Sequence, residues 1–122
     1  MGPFHLAVRP VHDYPGDHTV VEVGGEVDLA TASRLHAYLV PLIDGATGPL
    51  VLDLGAVTFM DARGLTALVA IRTRADAAMI PFRLAALPPL VRRLLCLTRL
   101  EASFTVVAGP DHRPTMPYAP MA

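Results

Sequence analysis

The sequence predicts a single α/β domain, and two observations carry that prediction. After an opening pair of strand-like segments, stretches with the three-to-four-residue spacing of an amphipathic helix alternate with short apolar or β-branched segments. This alternation is typical of strands joined by crossover helices, because a helix with one apolar stripe needs a sheet face to cover. The composition agrees: 52% of the 122 residues are hydrophobic and 17% are charged, which favours a packed core.

The chain opens with a predicted β-hairpin. Residues 4–12 predict a strand, and Pro10 predicts that this strand lies at the sheet edge, because proline has no N–H for the ladder. Turn-forming residues at 13–17 separate it from a β-branched strand at 18–23. The glycine pair at 24–25 then predicts a β-bulge.

Helical spacing predicts a first helix over residues 31–44, with Asp28 or Thr31 as its N-cap. Pro41 conflicts with an unbroken helix, because it removes a hydrogen bond and clashes with the preceding turn. We therefore expect a kink at Pro41 or a helix end near Val40.

The short apolar segment 49–54 predicts a central parallel strand that is buried on both faces. Residues 55–60 are expected to form a loop, and residues 62–78 a second helix capped by Asp61. The same alternation then predicts a strand at 82–86, a helix at 88–98 with Val91, Leu94, Leu95 and Thr98 as its buried stripe, and a strand at 104–107. The domain is thus expected to span residues 1–108, followed by a proline-rich, disordered tail at 109–122.

Charge and cysteine content exclude several classes of function. The net charge is −1 and every basic residue is Arg, so neither a broad basic surface for nucleic acid nor lysine chemistry is expected. The one cysteine, Cys96, permits no internal disulfide, and we expect it to pack as a small apolar residue in the third helix. We find no secretion signal and no apolar segment near the roughly 20 residues that span a bilayer, which predicts a cytoplasmic protein without membrane insertion.

No catalytic or metal-binding pattern is present either. Ser33 and Ser103 do not lie in a nucleophile elbow, and no glycine-rich phosphate loop occurs. The sequence therefore predicts a protein that is not an enzyme and holds no metal and no cofactor. We expect surface positions for the histidines, whose spacing is not that of a metal site: His5, His12, His18, His36 and His112.

One segment stands out, in which a buried strand feeds the helix that begins after Asp61. The first N–H groups of such a helix are free and carry the positive end of its dipole. Asp61 is placed to cap them, and Asp53 is expected at a strand end or in a loop, where it accepts from nearby amides. Capping alone explains Asp61, although it is compatible with a functional role.

Four short motifs occur in a fixed order along the chain: GEVD at 25–28, LDL at 52–54, VTFMD at 57–61 with GL at 64–65 after a two-residue gap, and VRRLL at 91–95 with Leu100. Their order and spacing resemble the STAS domain, and most closely the small bacterial anti-sigma factor antagonists. The resemblance covers roughly residues 4–108 and implies a mixed sheet of four to five strands with about three helices packed mainly on one face.

In that family the residue before the motif's glycine is a serine or threonine that a partner kinase phosphorylates. The kinase is also the anti-sigma factor, and phosphate, which adds about −1.5 to −2 charge, dissociates the complex. Here Arg63 occupies this position and cannot accept phosphate, so the switch is expected to be lost. Arg63 is then either a result of drift or a contact for an acidic group or phosphate on a partner. Thr58 and Thr66 do not match the acceptor position.

The resemblance thus implies a regulatory domain that binds an anti-sigma factor of the serine-kinase type. Parallel strands should place the segments bearing Asp28 and Asp61 side by side. Two alternatives stay open: a STAS subunit of another assembly, such as a lipid-transport ATPase complex or a signalling scaffold, and a nucleotide-binding module. The apolar composition is also compatible with a homodimer. The expected contact surface comprises Asp28, Thr58, Met60, Asp61, Ala62, Arg63, Gly64, Leu65 and Thr66.

Overall fold

The fold is known from a computed structural model, which describes residues 3–13 and 16–107. Residues 14 and 15 of the predicted turn, and the predicted tail, lie outside this part of the chain. The elements are β1 (His5–Asp13), β2 (Gly16–Val27), α1 (Leu29–Asp44), β3 (Leu50–Met60), α2 (Ala62–Ala77), β4 (Phe82–Ala85), α3 (Pro89–Leu97), a short 3₁₀ helix (Glu101–Ser103) and β5 (Thr105–Val107).

The strands form one mixed sheet in the order β1-β2-β3-β4-β5. β1 pairs antiparallel with β2, with Pro10 opposite Thr19, and the other neighbouring strands are parallel. β1 is an edge strand, as Pro10 predicts, and the opening hairpin is confirmed. The predicted α/β fold with four to five strands is therefore confirmed, with five strands in the described residues.

The main core lies between the helices and one face of the sheet. Residues two apart in a strand share a face, and Val21 and Val23 of β2 pack with Leu52 of β3 in this core. A smaller cluster on the opposite face contains Val20 and Val51. The helices thus cover one face, as the resemblance implies. Their fully buried side chains include Leu35, Leu39, Leu68, Ile71 and Val91.

α1 begins at Leu29, two residues before the predicted start, because Asp28 is its N-cap. It ends at Asp44, as the spacing predicts, so the alternative of a helix end near Val40 is wrong. Pro41 is exposed and sits in the last turns, where it removes a single helical hydrogen bond. The buried Ile43 holds the turn that follows it in the core.

β3 is longer than the sequence predicts, because residues 55–60 continue the strand instead of forming a loop. The ladder with β2 shifts register on either side of Gly24 and Gly25, which confirms the predicted bulge. Gly25 has φ of +87°, and a Cβ there would lie 2.7 Å from the backbone nitrogen of Phe4. Residues 50–54 of β3 are all buried, whereas beyond them only Val57 and Met60 are buried, and this irregular interval explains why the pattern predicts a loop.

Three side chains are placed differently from the prediction. His18 is buried, at 4% exposure, because it lies on the inner strand β2 and shares a face with Val20. Cys96 is exposed, since it lies beside rather than on the apolar stripe of α3. Thr98 follows the end of α3 and is exposed, while its hydroxyl donates to the Leu94 carbonyl at 2.7 Å.

The C-terminal ends of α1 and α2 are joined by an ion pair. The Arg74 guanidinium donates to both carboxylate oxygens of Asp44, at 3.0 and 2.6 Å. These hydrogen bonds lower the pKa of Asp44. Of the helices described, none is long and apolar enough to cross a membrane.

Candidate functional site

Two helix N-termini lie next to each other at the carboxyl edge of the sheet. β2 ends at Val27 and β3 ends at Met60, and these two residues are paired in the parallel ladder. The N–H of Asp61 donates to the Val27 carbonyl at 3.3 Å, which links the start of α2 to the end of β2. The segments bearing Asp28 and Asp61 are therefore neighbours, as parallel strands require.

Asp28 caps α1 through a reciprocal pair of hydrogen bonds. Its Oδ1 accepts from the amides of Ala30 and Thr31, at 3.0 and 3.2 Å. The Thr31 hydroxyl in turn accepts from the Asp28 amide at 2.9 Å and donates to the Glu26 carbonyl at 2.7 Å. This capping box satisfies free donors of the first turn and fixes the path of the chain from β2 into α1.

Asp61 caps α2 through its own carboxylate, without a reciprocal side-chain bond, because Gly64 stands where Thr31 stands in α1. Its Oδ1 accepts from the amides of Arg63 and Gly64, at 2.9 and 3.3 Å. Two carboxylates thus sit on two adjacent helix N-termini, where the helix dipoles favour negative charge. The predicted cap at Asp61 is confirmed.

Gly64 allows α2 to approach the ends of both strands. A Cβ at this position would lie 2.7 Å from Met60 Cγ, 2.9 Å from Val27 Cγ1 and 3.0 Å from the Val27 carbonyl oxygen. Real Cβ atoms do not approach other heavy atoms at the shorter of these distances, and the Val27 carbonyl is fixed by its bond to Asp61. A glycine is therefore needed for the close packing that brings the two helix starts together.

Arg63 is exposed in the first turn of α2. Its backbone N–H is bonded to Asp61, but its guanidinium makes no hydrogen bond or ion pair with any residue of 3–13 and 16–107. A cation at a helix N-terminus costs about 0.3–1 kcal/mol against the dipole. The side chain is thus free for an external partner and has no visible role in folding.

The remaining predicted site residues fall into two groups. Thr58, Ala62 and Thr66 are exposed, and the Thr66 hydroxyl donates to the Ala62 carbonyl at 2.9 Å. The other three are buried and support the surface from below: Met60, Gly64 and Leu65.

Sequence reasoning missed two exposed apolar residues at the same edge. Leu29 is 64% exposed in the first position of α1, directly after the Asp28 cap, and Phe59 is 45% exposed beside Thr58. For Leu29 the sequence does carry a signal, because an apolar residue directly after a predicted N-cap lies in the first turn of the helix, at this edge. Phe59 belongs to the VTFMD motif, but its exposure at this edge depends on the irregular end of β3, which the sequence does not predict.

Asp53 lies within β3 and not at a strand end, so its predicted position is wrong. It is 7% exposed, and its Oδ1 accepts from the Gly55 amide at 2.8 Å, which is the amide contact that the sequence predicts. Within the described ranges no group of three His, Cys, Asp or Glu side chains is arranged for a metal ion.

A cavity of about 570 Å³ lies between α3 and β5, remote from Asp61 in the sheet order. Its walls are mostly apolar, and Arg92, Cys96 and Glu101 supply the polar groups. Hydrogen bonding to Glu101 raises the pKa of Cys96, which keeps the thiol protonated and disfavours nucleophilic chemistry.

Comparison with protein families gives a match over most of the chain. The model of the family described as "Mlab, STAS domain" matches residues 12–108. Among solved structures, an anti-sigma factor antagonist from Mycobacterium paratuberculosis is 32% identical, with a TM-score of 0.66 over 82% of this chain and 85% of that one.

Two more distant structures share the fold. The Bacillus cell fate determinant SpoIIAA in its phosphorylated form is 18% identical, with a TM-score of 0.61 over 86% of this chain and 91% of that one. An RsbS variant from Moorella thermoacetica is 22% identical, with a TM-score of 0.61 over 84% of this chain and 86% of that one.

Proposed function

Because the chain belongs to the STAS domain family, we propose that it is an anti-sigma factor antagonist that binds a serine-kinase-type anti-sigma factor without being switched by phosphorylation. The observation that carries the antagonist role is the 32% identity to a solved anti-sigma factor antagonist over 82% of this chain. The loss of the switch rests on the exposed Arg63 in the first turn of α2, which the resemblance aligns with the family's phosphoacceptor. Binding, and not catalysis, is the activity we assign.

The geometry around Arg63 supports a protein contact surface. Asp28 and Asp61 are both held by backbone amides, so the surface is formed before a partner arrives. Exposed Leu29 and Phe59 add apolar area next to these polar groups. Apolar anchors surrounded by polar groups are the usual composition of a protein interface.

The neighbouring hydroxyls do not replace the missing phosphoacceptor in this proposal. The Thr66 hydroxyl is engaged with the Ala62 carbonyl at 2.9 Å, and it lies three residues beyond the acceptor position. Thr58 is exposed but belongs to β3. Arginine at position 63 has no hydroxyl to accept a phosphoryl group, so the partner kinase has no acceptor there.

The test measures the affinity of the purified protein for each serine-kinase-type anti-sigma factor of the bacterium that carries this chain, with and without ATP. We expect the wild type to bind one of them equally under both conditions, with no increase in mass. Arg63→Ser should gain the mass of one phosphoryl group and then lose affinity, because the added charge of about −1.5 to −2 disrupts the contact. Arg63→Ala is the matched control, since it removes the cation without supplying a hydroxyl.

Two outcomes contradict the proposal. If no kinase-type anti-sigma factor binds the wild type, the partner class is wrong. If the wild type is phosphorylated and released in ATP, the switch is intact and uses another residue.

A second candidate function is that of a STAS subunit in another assembly, such as a lipid-transport ATPase complex. Two observations favour it. Position 63 lacks a phosphoacceptor, and the description of the matching family includes the name Mlab. Affinity capture of the tagged full-length chain separates the candidates, because transporter subunits and not an anti-sigma factor should then be recovered.

A further inference from the structure

A groove of about 310 Å³ runs between α1 and α2 and begins at the edge where Arg63 lies. Side chains at matching intervals line it, with Leu29, Ser33 and His36 on α1 and Arg63, Thr66 and Ala70 on α2. Since both helices cross between parallel strands on the same sheet face, they run side by side in the same direction. Four- and three-residue intervals place each set on one helix face.

The groove has an apolar rim, formed by Leu29 and Ala70, and an exposed cation, Arg63. Leu29, at 64% exposure, is too exposed to contribute much to the core, and Ala70 is half-buried on the opposite wall. Arg63 and His36 are the titratable groups among the described lining residues, and no acidic side chain lines the groove. The nearby Asp28 and Asp61 each have an oxygen engaged with helix amides.

These features indicate which kind of partner segment the groove accepts. A groove between two parallel helices accepts a third helix, whose side-chain ridge enters it. The apolar rim favours a partner helix with aliphatic side chains at every third or fourth residue. The unpaired guanidinium of Arg63 favours a carboxylate at the end of that apolar ridge.

We propose that the groove between α1 and α2 binds an amphipathic helix of the anti-sigma factor that presents an apolar ridge and an acidic residue facing Arg63. The inference rests on the proposed function and extends its surface to Leu29, Ser33 and His36. Arg63 is then a contact that favours an acidic partner, and its charge adds specificity more than affinity.

The decisive variant is Leu29→Glu in the full-length chain, assayed against the same purified anti-sigma factors. A glutamate in the first turn of α1 suits the helix dipole, so the fold should be retained, while the apolar anchor is replaced by a charge that the apolar ridge of the partner would have to desolvate. We expect binding to weaken about tenfold or more, as for the loss of an interface anchor. Leu97→Glu is the matched control: Leu97 is 75% exposed at the opposite end of the helix layer, and its affinity should stay within about twofold.

A second variant tests the charge. Arg63→Gln should weaken binding and flatten its dependence on salt, because the screened ion pair is gone. Replacing Ser33 with the photo-crosslinking residue p-benzoylphenylalanine should label a partner segment with apolar residues at three-to-four-residue spacing and a carboxylate within one turn.

The results distinguish helix binding in the groove from the proposed function itself. Undiminished binding of Leu29→Glu, or a cross-link to a segment without that pattern, overturns the groove while leaving the proposed function intact. Absence of any complex with the wild type overturns both. Weakening in Leu29→Glu and Arg63→Gln, with the affinity of Leu97→Glu unaffected and every variant fully folded at the assay temperature, supports the groove.

Discussion

Replacing Asp61 with alanine removes the acceptor that holds the start of α2. The Arg63 and Gly64 amides, now at 2.9 and 3.3 Å from Oδ1, would lose this partner. Loss of an N-cap costs about 1 kcal/mol, and loss of a favourable charge at a helix N-terminus adds about 0.3–1 kcal/mol. We therefore expect Asp61→Ala to lower the free energy of unfolding by about 1–2 kcal/mol at neutral pH.

Urea denaturation followed by circular dichroism measures this change. The transition midpoint should fall while the slope stays constant, since the surface exposed on unfolding hardly changes. Asp61→Asn separates the two contributions, because asparagine keeps a capping oxygen but not the charge. It should lie between the wild type and Asp61→Ala.

Two results would refute this reasoning. Equal stability of Asp61→Ala and the wild type would mean that the two amides find other partners at no cost. Full affinity of a folded Asp61→Ala for the anti-sigma factor would mean that the surface around α2 is not the binding site, whatever the stability shows.

Two further changes test the packing and the chemistry of the fold. Gly64→Ala should destabilise the protein by up to about 2 kcal/mol in the same urea assay, because the crowding at Met60 and Val27 costs about 1–3 kcal/mol and helix propensity returns about 1 kcal/mol. A stability higher than that of the wild type would contradict the geometry. Glu101→Gln should speed alkylation of Cys96 by iodoacetamide at pH 8 and shift the pH–rate profile to lower pH, because Glu101 raises the pKa of the thiol in the wild type. Intact-mass measurement follows the reaction, and identical profiles for the two proteins would show that this interaction is absent.

The helix caps were predictable because they depend on neighbouring residues, whereas features that depend on pairing between distant segments were not. Asp28 and Asp61 are recognisable as caps because carboxylates before an apolar periodic stretch satisfy free amides. The continuation of β3 through residues 55–60 was not predictable, because a bulge predicted in β2 does not reveal which partner residues resume the pairing beyond the register shift. The unbroken α1 depends on the burial of Ile43, which outweighs the single hydrogen bond lost at Pro41.

The candidate site likewise has one part that the sequence predicts and one part that it does not. The neighbouring positions of Asp28 and Asp61 follow from parallel strands alone, so the sequence predicts them. The groove containing Leu29 and His36 depends on the packing of α1 beside α2, and a single sequence does not reveal which helix faces meet. Burial of His18 likewise depends on β2 being an inner strand with a partner on each side.

Arg63 links stability to function in a way that a folding argument alone does not explain. Its charge opposes the dipole of α2, and its guanidinium has no partner within the described part of the chain, so it contributes a cost of about 0.3–1 kcal/mol and no compensating contact. Arg63→Gln removes the charge while keeping a good helix former, so it should be at least as stable as the wild type. Equal or higher stability together with weaker binding would identify Arg63 as a residue retained for its partner, whereas lower stability would place its role in the fold.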